Sequence, residues 1–150
     1  MPLPASALDS DPIAQALAAH LMDALNAAVT GEQLVKTAIA YDGWAEHLEE
    51  DFPLLMVVRG SAVGEAEAYN LTRFSCDYFL PNSKAYFARP GTFAVVGDVI
   101  RDALSRLSRA GVDGISPCVE VEGINYEAGW VQFAQRPIPG CKVSFELRGV

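Results

Sequence analysis

The chain has 150 residues, enough for one domain, spanning 1–150, with a core of its own. With 51% hydrophobic and 20% charged residues it has the balance of a globular protein and not of a disordered one. A net charge of −8 makes it a poor holder of nucleic acid, because that affinity comes mainly from neutralising phosphates.

No apolar run is long enough to span a membrane. The opening "MPLPASALDSDP" lacks the basic and apolar regions of a signal peptide. Asp11-Pro12 starts the first helix, with aspartate at the N-cap and proline at the first helical position. Ile13, Leu17, Leu21, Ala24, Leu25 and Ala28 recur at helical spacing, and Thr30-Gly31 ends the run. "LVKTAIAY" then places Val35, Thr37, Ile39 and Tyr41 on one face of a strand. "LLMVVRG", Leu54 to Gly60, is a continuous β-type run and suits a central strand buried on both faces.

"GSAVGEAE" reads as a loop. In the strand that follows, Thr72, Phe74, Cys76, Tyr78 and Leu80 alternate with Arg73, Ser75, Asp77 and Phe79. Pro81-Asn82 stops it, and "SKAYFARPG" reads as a second loop. Thr92 is placed to cap another helix, whose stripe is Phe93, Val96, Ile100, Ala103, Leu104 and Leu107. "CVEVEGINYE" predicts one or two short strands and "WVQFAQ" another, begun by Trp130. "RPIPG" reads as a stiff connection to the alternating "CKVSFEL". The order predicts an α+β domain, a mainly antiparallel mixed sheet with two main helices packed on one face.

Candidate chemistry is sparse. The three cysteines, Cys76, Cys118 and Cys141, form no ligand cluster and read as buried thiols. His20 and His47 have no partner at metal-ligand spacing. Asp42, Glu46, Glu49, Glu50 and Asp51 form an acidic cluster without the alternation and central glycine of a calcium loop. Gly60 to Gly64 is followed by no GK[ST] and contains no GxSxG elbow. No metal, cofactor or catalytic set is therefore expected. The charge is uneven: residues 1–70 carry 11 acidic and 2 basic side chains, residues 71–150 carry 8 and 9. Such a split suits head-to-tail self-association.

The helix before "LVKTAIAYDGW", the segment ending in proline before "LLMVVRG", the loop feeding "RPGTFAVVGDVIRDAL" and the closing "CKVSFEL" together resemble one family. They are similar to the tail terminator (tail completion) proteins of tailed bacteriophages, most closely the Mu-like group with contractile tails. The resemblance implies a non-catalytic ring homo-oligomer, a hexamer, that stops tube polymerisation. Its implied partners are the tail tube protein, a neck or head-completion protein and the top of the sheath, with DNA only in passage. "PNSKAYFARPG", with Lys84, Tyr86, Phe87 and Arg89, would then be contact surface. The alternative is an ordinary loop whose Tyr86 and Phe87 fold back on the core. Trp130, and Phe79 on the polar phase of its own strand, read as core or second-face packing, with a protein interface as the alternative for each.

In such a ring Glu46, Glu49, Glu50 and Asp51 of one subunit would face Lys84, Arg89, Arg106 and Arg109 of the next. Asp42, Glu65 and Glu67 are candidates for an acidic lumen that lets DNA slide, or else simply solvent-facing charge. A rival reading is a cytosolic α+β enzyme or small-ligand domain that uses His47 and the acidic cluster.

Overall fold

The computed structural model describes residues 2, 4, 5, 11–40, 51–63, 71–110, 120–133 and 136–148. The elements run α1 (Pro12–Ala28), β1 (Thr37–Ile39), β2 (Leu54–Val63), β3 (Leu71–Phe79), α2 (Ser83–Ala88), α3 (Thr92–Ala110), β4 (Glu120–Phe133) and β5 (Arg136–Arg148). The strands form a five-stranded sheet in the order β1-β2-β3-β5-β4. β1 and β2 are parallel and the other neighbours antiparallel, so the sheet is mixed and mainly antiparallel. The two long helices lie side by side on one face, α1 over β1 and β2, α3 over β4 and β5. The fold is α+β, as expected.

Helix α1 begins as its sequence dictates. The Asp11 carboxylate accepts from the Ala14 amide at 3.2 Å, which satisfies a helix-end donor. The same carboxylate receives Arg59 Nε and Nη2 at 2.7 and 2.8 Å. Arg59 lies on β2 with its guanidinium 5.3 Å from the Phe74 ring centre. One arginine thus ties the helix start to β2 and β3. Burial raises the Asp11 pKa, but the Arg59 bond and the Ala14 amide outweigh it and leave the carboxyl below its ordinary value.

The main core lies between sheet and helices. Leu17, Leu21 and Leu25 of α1 meet Ile100, Leu104 and Leu107 of α3 over Phe74, Cys76 and Tyr78 of β3 and Val143, Phe145 and Leu147 of β5. Side chains opposite one another across an antiparallel pair share a face, and the register places Phe74 against Phe145 and Tyr78 against Cys141. The α1–β1 connection is clasped from α1. Asn26 donates to the Val35 carbonyl at 3.0 Å and accepts from its amide at 2.8 Å. Tyr78 donates to the Leu34 carbonyl at 2.8 Å.

Several expected details change. Ala28 is exposed and closes α1 without packing. Only Thr37–Ile39 of the first expected strand is ladder, with Val35 buried ahead of it and Tyr41 outside the described residues. β2 runs on to Val63, so the expected loop begins later. It is buried on both faces over Leu54–Val57 but stands second in the sheet, with β3 at the centre. "SKAYFA" is helix α2, because the Asn82 side chain caps it by accepting from Ala85 at 2.9 Å. Thr92 opens α3, and its hydroxyl donates back to the Arg89 carbonyl at 2.8 Å in place of the expected cap.

"EVEGINYEAGWVQF" is one strand with a register shift between Glu122 and Asn125, where Gly123 takes φ 62°. Trp130 therefore lies within β4. "RPIPG" belongs to β5. The Pro139 carbonyl accepts from Leu80 at 3.1 Å, so this residue turns its backbone groups away from β4 and its missing N–H breaks no β4 bond. Phe79, on the polar phase of β3, is buried on the second sheet face with Phe52, Leu54, Met56 and Ile138.

Cys76 and Cys141 are buried free thiols, as expected, while Cys118 lies outside the described residues. Burial, with Asp77 nearby, pushes the Cys141 thiol from its ordinary 9.0 up to about 12. Cys76 rises for the same reasons. In the unfolded chain these thiols ionise first, so the unfolded state sheds protons at a pH where the folded state holds them. Their contribution is complete below about pH 9 and is lost progressively toward pH 12. The urea midpoint is expected to fall between about pH 8 and about pH 10.5, and Cys141→Ala to reduce that fall. An equal fall in the variant would refute this assignment.

Candidate assembly surface

The segment after β3 is a presented surface. Asn82 fixes the start of α2, and the Arg89 amide closes its end on the Tyr86 carbonyl at 3.1 Å. Tyr86 turns inward and stacks on Phe93 of α3, ring centres 5.0 Å apart. Phe87 lies edge-on to Tyr86 at 5.4 Å and remains 68% exposed. The two aromatics divide the expected roles: Tyr86 is the anchor to the core and Phe87 faces outward.

Beyond α2, Arg89 reaches Glu32, in the turn that follows α1, 2.7 Å away. Lys84 is exposed on the same short helix. The result is an exposed aromatic on a capped helix with an arginine nearby, and aromatics and arginine are the residue types enriched in protein interfaces.

Of the other expected cations, Arg106 pairs with Asp102 at 2.9 Å along α3, where Arg101 also pairs with Asp98 at 2.7 Å. On the second sheet face Arg73 meets Glu146 at 3.5 Å and Arg148 meets Glu122 at 2.9 Å. Such exposed pairs contribute little each and exchange readily, so they do not prevent Arg89 or Arg106 from meeting a neighbour. The side chain of Arg109 lies outside the described residues, as does that of Trp130, whose backbone pairs with Pro139.

Asp51 is half-buried just before Phe52. Glu46, Glu49, Glu50, His47, Asp42, Glu65 and Glu67 lie outside the described residues, so neither the acidic interface, the acidic lumen nor the His47 site has a described geometry. What is described is a groove of about 630 Å³ between α1 and α3, lined by Ala24, Ala27, Ala28 and Val99 together with His20, Asp23, Asp98, Asp102 and Arg106. The His20 ring nitrogen Nε2 lies 3.2 Å from the Ala103 carbonyl, which ties α1 to α3 and gives this histidine a structural role. Among the described residues no group of three His, Cys, Asp or Glu side chains is placed to hold a metal ion. No helix among them is long and apolar enough to cross a membrane.

Sequence reasoning missed α2 itself. The available signal was Asn82 followed by "SKAYFA", a cap residue ahead of a run free of β-branched side chains. Pro81 beside it suggested only a stop. Compared with known proteins, the chain matches no family model, and no curated protein matches it.

Proposed function

We propose that this chain is a structural ring subunit that ends the tail tube of a contractile-tailed phage. It would sit on the last tube ring, stop polymerisation and offer its other side to a neck or head-completion protein and to the top of the sheath. No catalysis or cofactor enters this role, and DNA only passes through the ring. The element order carries the resemblance, from the capped first helix through the α3 segment to the closing strand. The single observation that supports it best is Phe87, 68% exposed on a helix fixed at both ends.

A large aromatic held in water gains by burial in a partner, about 1.5–3 kcal/mol if it is fully covered. Presentation on a fixed helix lowers the ordering cost of that contact. Phe87→Asp loses only the edge-on contact with Tyr86 and is therefore expected to lower the subunit's melting temperature by no more than about 3 °C. It should strongly reduce ring formation, or capping of tubes when the chain is mixed with its tube protein. Undiminished capping by the variant would remove Phe87 from the contact. Tubes that grow without limit beside the wild-type chain would count against the terminator role.

A further inference from the structure

We propose that the outer edge of β4 and the cleft beside it form a strand-addition site for an extended partner peptide in which lysine or arginine alternates with apolar residues. The inference does not depend on ring formation, because one subunit carries the whole site.

Three observations support it. The first is the direction of the backbone groups. Leu80 donates to the Pro139 carbonyl, so Pro139 faces β3, and the alternation of an antiparallel ladder turns Ile138, Gly140 and Lys142 toward β4. Their partners Val131, Gly129 and Glu127 spend their N–H and C=O groups on β5. Tyr126, Ala128, Trp130 and Gln132 then point theirs outward, where no strand among the described residues pairs with them. Asn125 to Gly129 are all exposed. Edge strands are usually kept short or protected by charge, proline or a bulge. β4 runs for 14 residues without lysine or proline, and its bulge at Gly123 lies ahead of the exposed Asn125–Gly129 stretch.

The second observation is the cleft. Tyr126 and Ile124 of β4, with Ala94, Gly97 and Arg101 of α3, line a space of about 420 Å³ on the helix side of this edge. Gly97 keeps α3 close: a Cβ there would come within 2.6 Å of the Tyr126 ring. Tyr126 itself is 45% exposed. Apolar side chains on one face of an added strand would cover it.

The third is charge on the opposite face. Lys142 of β5 stands in register between Asp77 of β3 and Glu127 of β4. Glu122 of β4 stands opposite Glu146 in the row that begins at Arg73 of β3, and Arg148 of β5 bonds it diagonally at 2.9 Å. The last strand thus ends these rows on carboxylates, and cross-strand neighbours of opposite charge are favourable. A strand that continues the rows supplies cations beside Glu122 and Glu127.

The test uses a synthetic peptide of about ten residues that alternates lysine and valine, the length of a typical added strand. At saturation, exchange of the Tyr126 and Ala128 amide protons with solvent is expected to slow by about tenfold or more, since both would enter a ladder. Ala128→Pro removes an outward donor and no β4–β5 bond, so the fold should be kept and the affinity fall about tenfold. Glu127→Lys, which leaves the backbone alone, should also weaken binding. A control peptide with proline at each valine position has the same charge and should give no protection. Unchanged exchange at saturation, equal binding of the proline control, or undiminished binding by both variants would each overturn the proposal.

Discussion

Replacing Phe74 with alanine is expected to destabilise the fold by about 4 kcal/mol, among the largest effects of any single change. Phe74 is fully buried at the centre of the sheet and stacks on Phe145 with ring centres 5.8 Å apart and planes 14° from parallel. Truncation loses the transfer energy of the ring and leaves a cavity that strands paired on both sides close only in part. It also removes the surface over which Arg59 sits at 5.3 Å while holding Asp11. For a chain of this length the loss corresponds to a fall in melting temperature of roughly 10 °C. Phe74→Leu, which keeps much of the volume, should recover more than half of it. A double-mutant cycle with Arg59→Ala should show coupling of about 0.5–1 kcal/mol from the cation over the ring. A Phe74→Ala protein that melts with the wild type would mean that this ring is not in the core.

Leu104→Ala is expected to cost about 3 kcal/mol. Leu104 has no exposed surface and belongs to the stripe of α3 that faces both the sheet and α1. The carbonyl of its neighbour Ala103 accepts from the His20 ring of α1 at 3.2 Å, so the region is held on two sides and relaxes little. Ser105→Ala, one position further along on the exposed face, loses only a local hydroxyl bond to the Asp102 carbonyl and should stay within about 0.5 kcal/mol. Urea unfolding of the two variants provides the comparison. Equal midpoints would place the apolar stripe elsewhere on the helix.

That contrast between adjacent residues is legible in the sequence. The stripe Phe93, Val96, Ile100, Ala103, Leu104 and Leu107 is buried throughout, and Asp98, Arg101, Asp102, Ser105 and Arg106 are exposed. A long helix with one wet face leaves a strong periodic record. The Asp11-Pro12 start was equally clear, because capping is a local interaction. Phe79, out of phase in β3, also packs as read, on the second sheet face with Phe52 and Ile138. What failed depended on partners distant in sequence. Pro137 and Pro139 read as a connection, yet Pro139 lies in a strand where its absent donor faces away from β4. "CVEVEGINYE" and "WVQFAQ", with Gly129 between them, read as separate strands, whereas Glu120–Phe133 is one strand with a bulge at Gly123.

The candidate surface was half legible. Composition drew attention to Tyr86, Phe87, Lys84 and Arg89, since aromatics and cations are unusual together in a loop. It could not separate Tyr86 from Phe87. Adjacent residues on a short helix point in different directions, and which of them meets Phe93 depends on how α2 sits against α3. The cations Arg89 and Arg106 were legible as charges but not as members of ion pairs with Glu32 and Asp102. The Arg89 pair bridges elements far apart in the chain, and only the tertiary fold brings them together.

The ring reading is tested most directly by the mass of the assembled particle. Light scattering after size exclusion, on the chain alone and mixed with its tube protein, reports that mass without assuming a shape. A ring of about six copies of the 16.1 kDa subunit, formed alone or on the tube end, is the expected result. A particle that keeps the mass of one chain in both samples, at concentrations well above those of assembly, would contradict it.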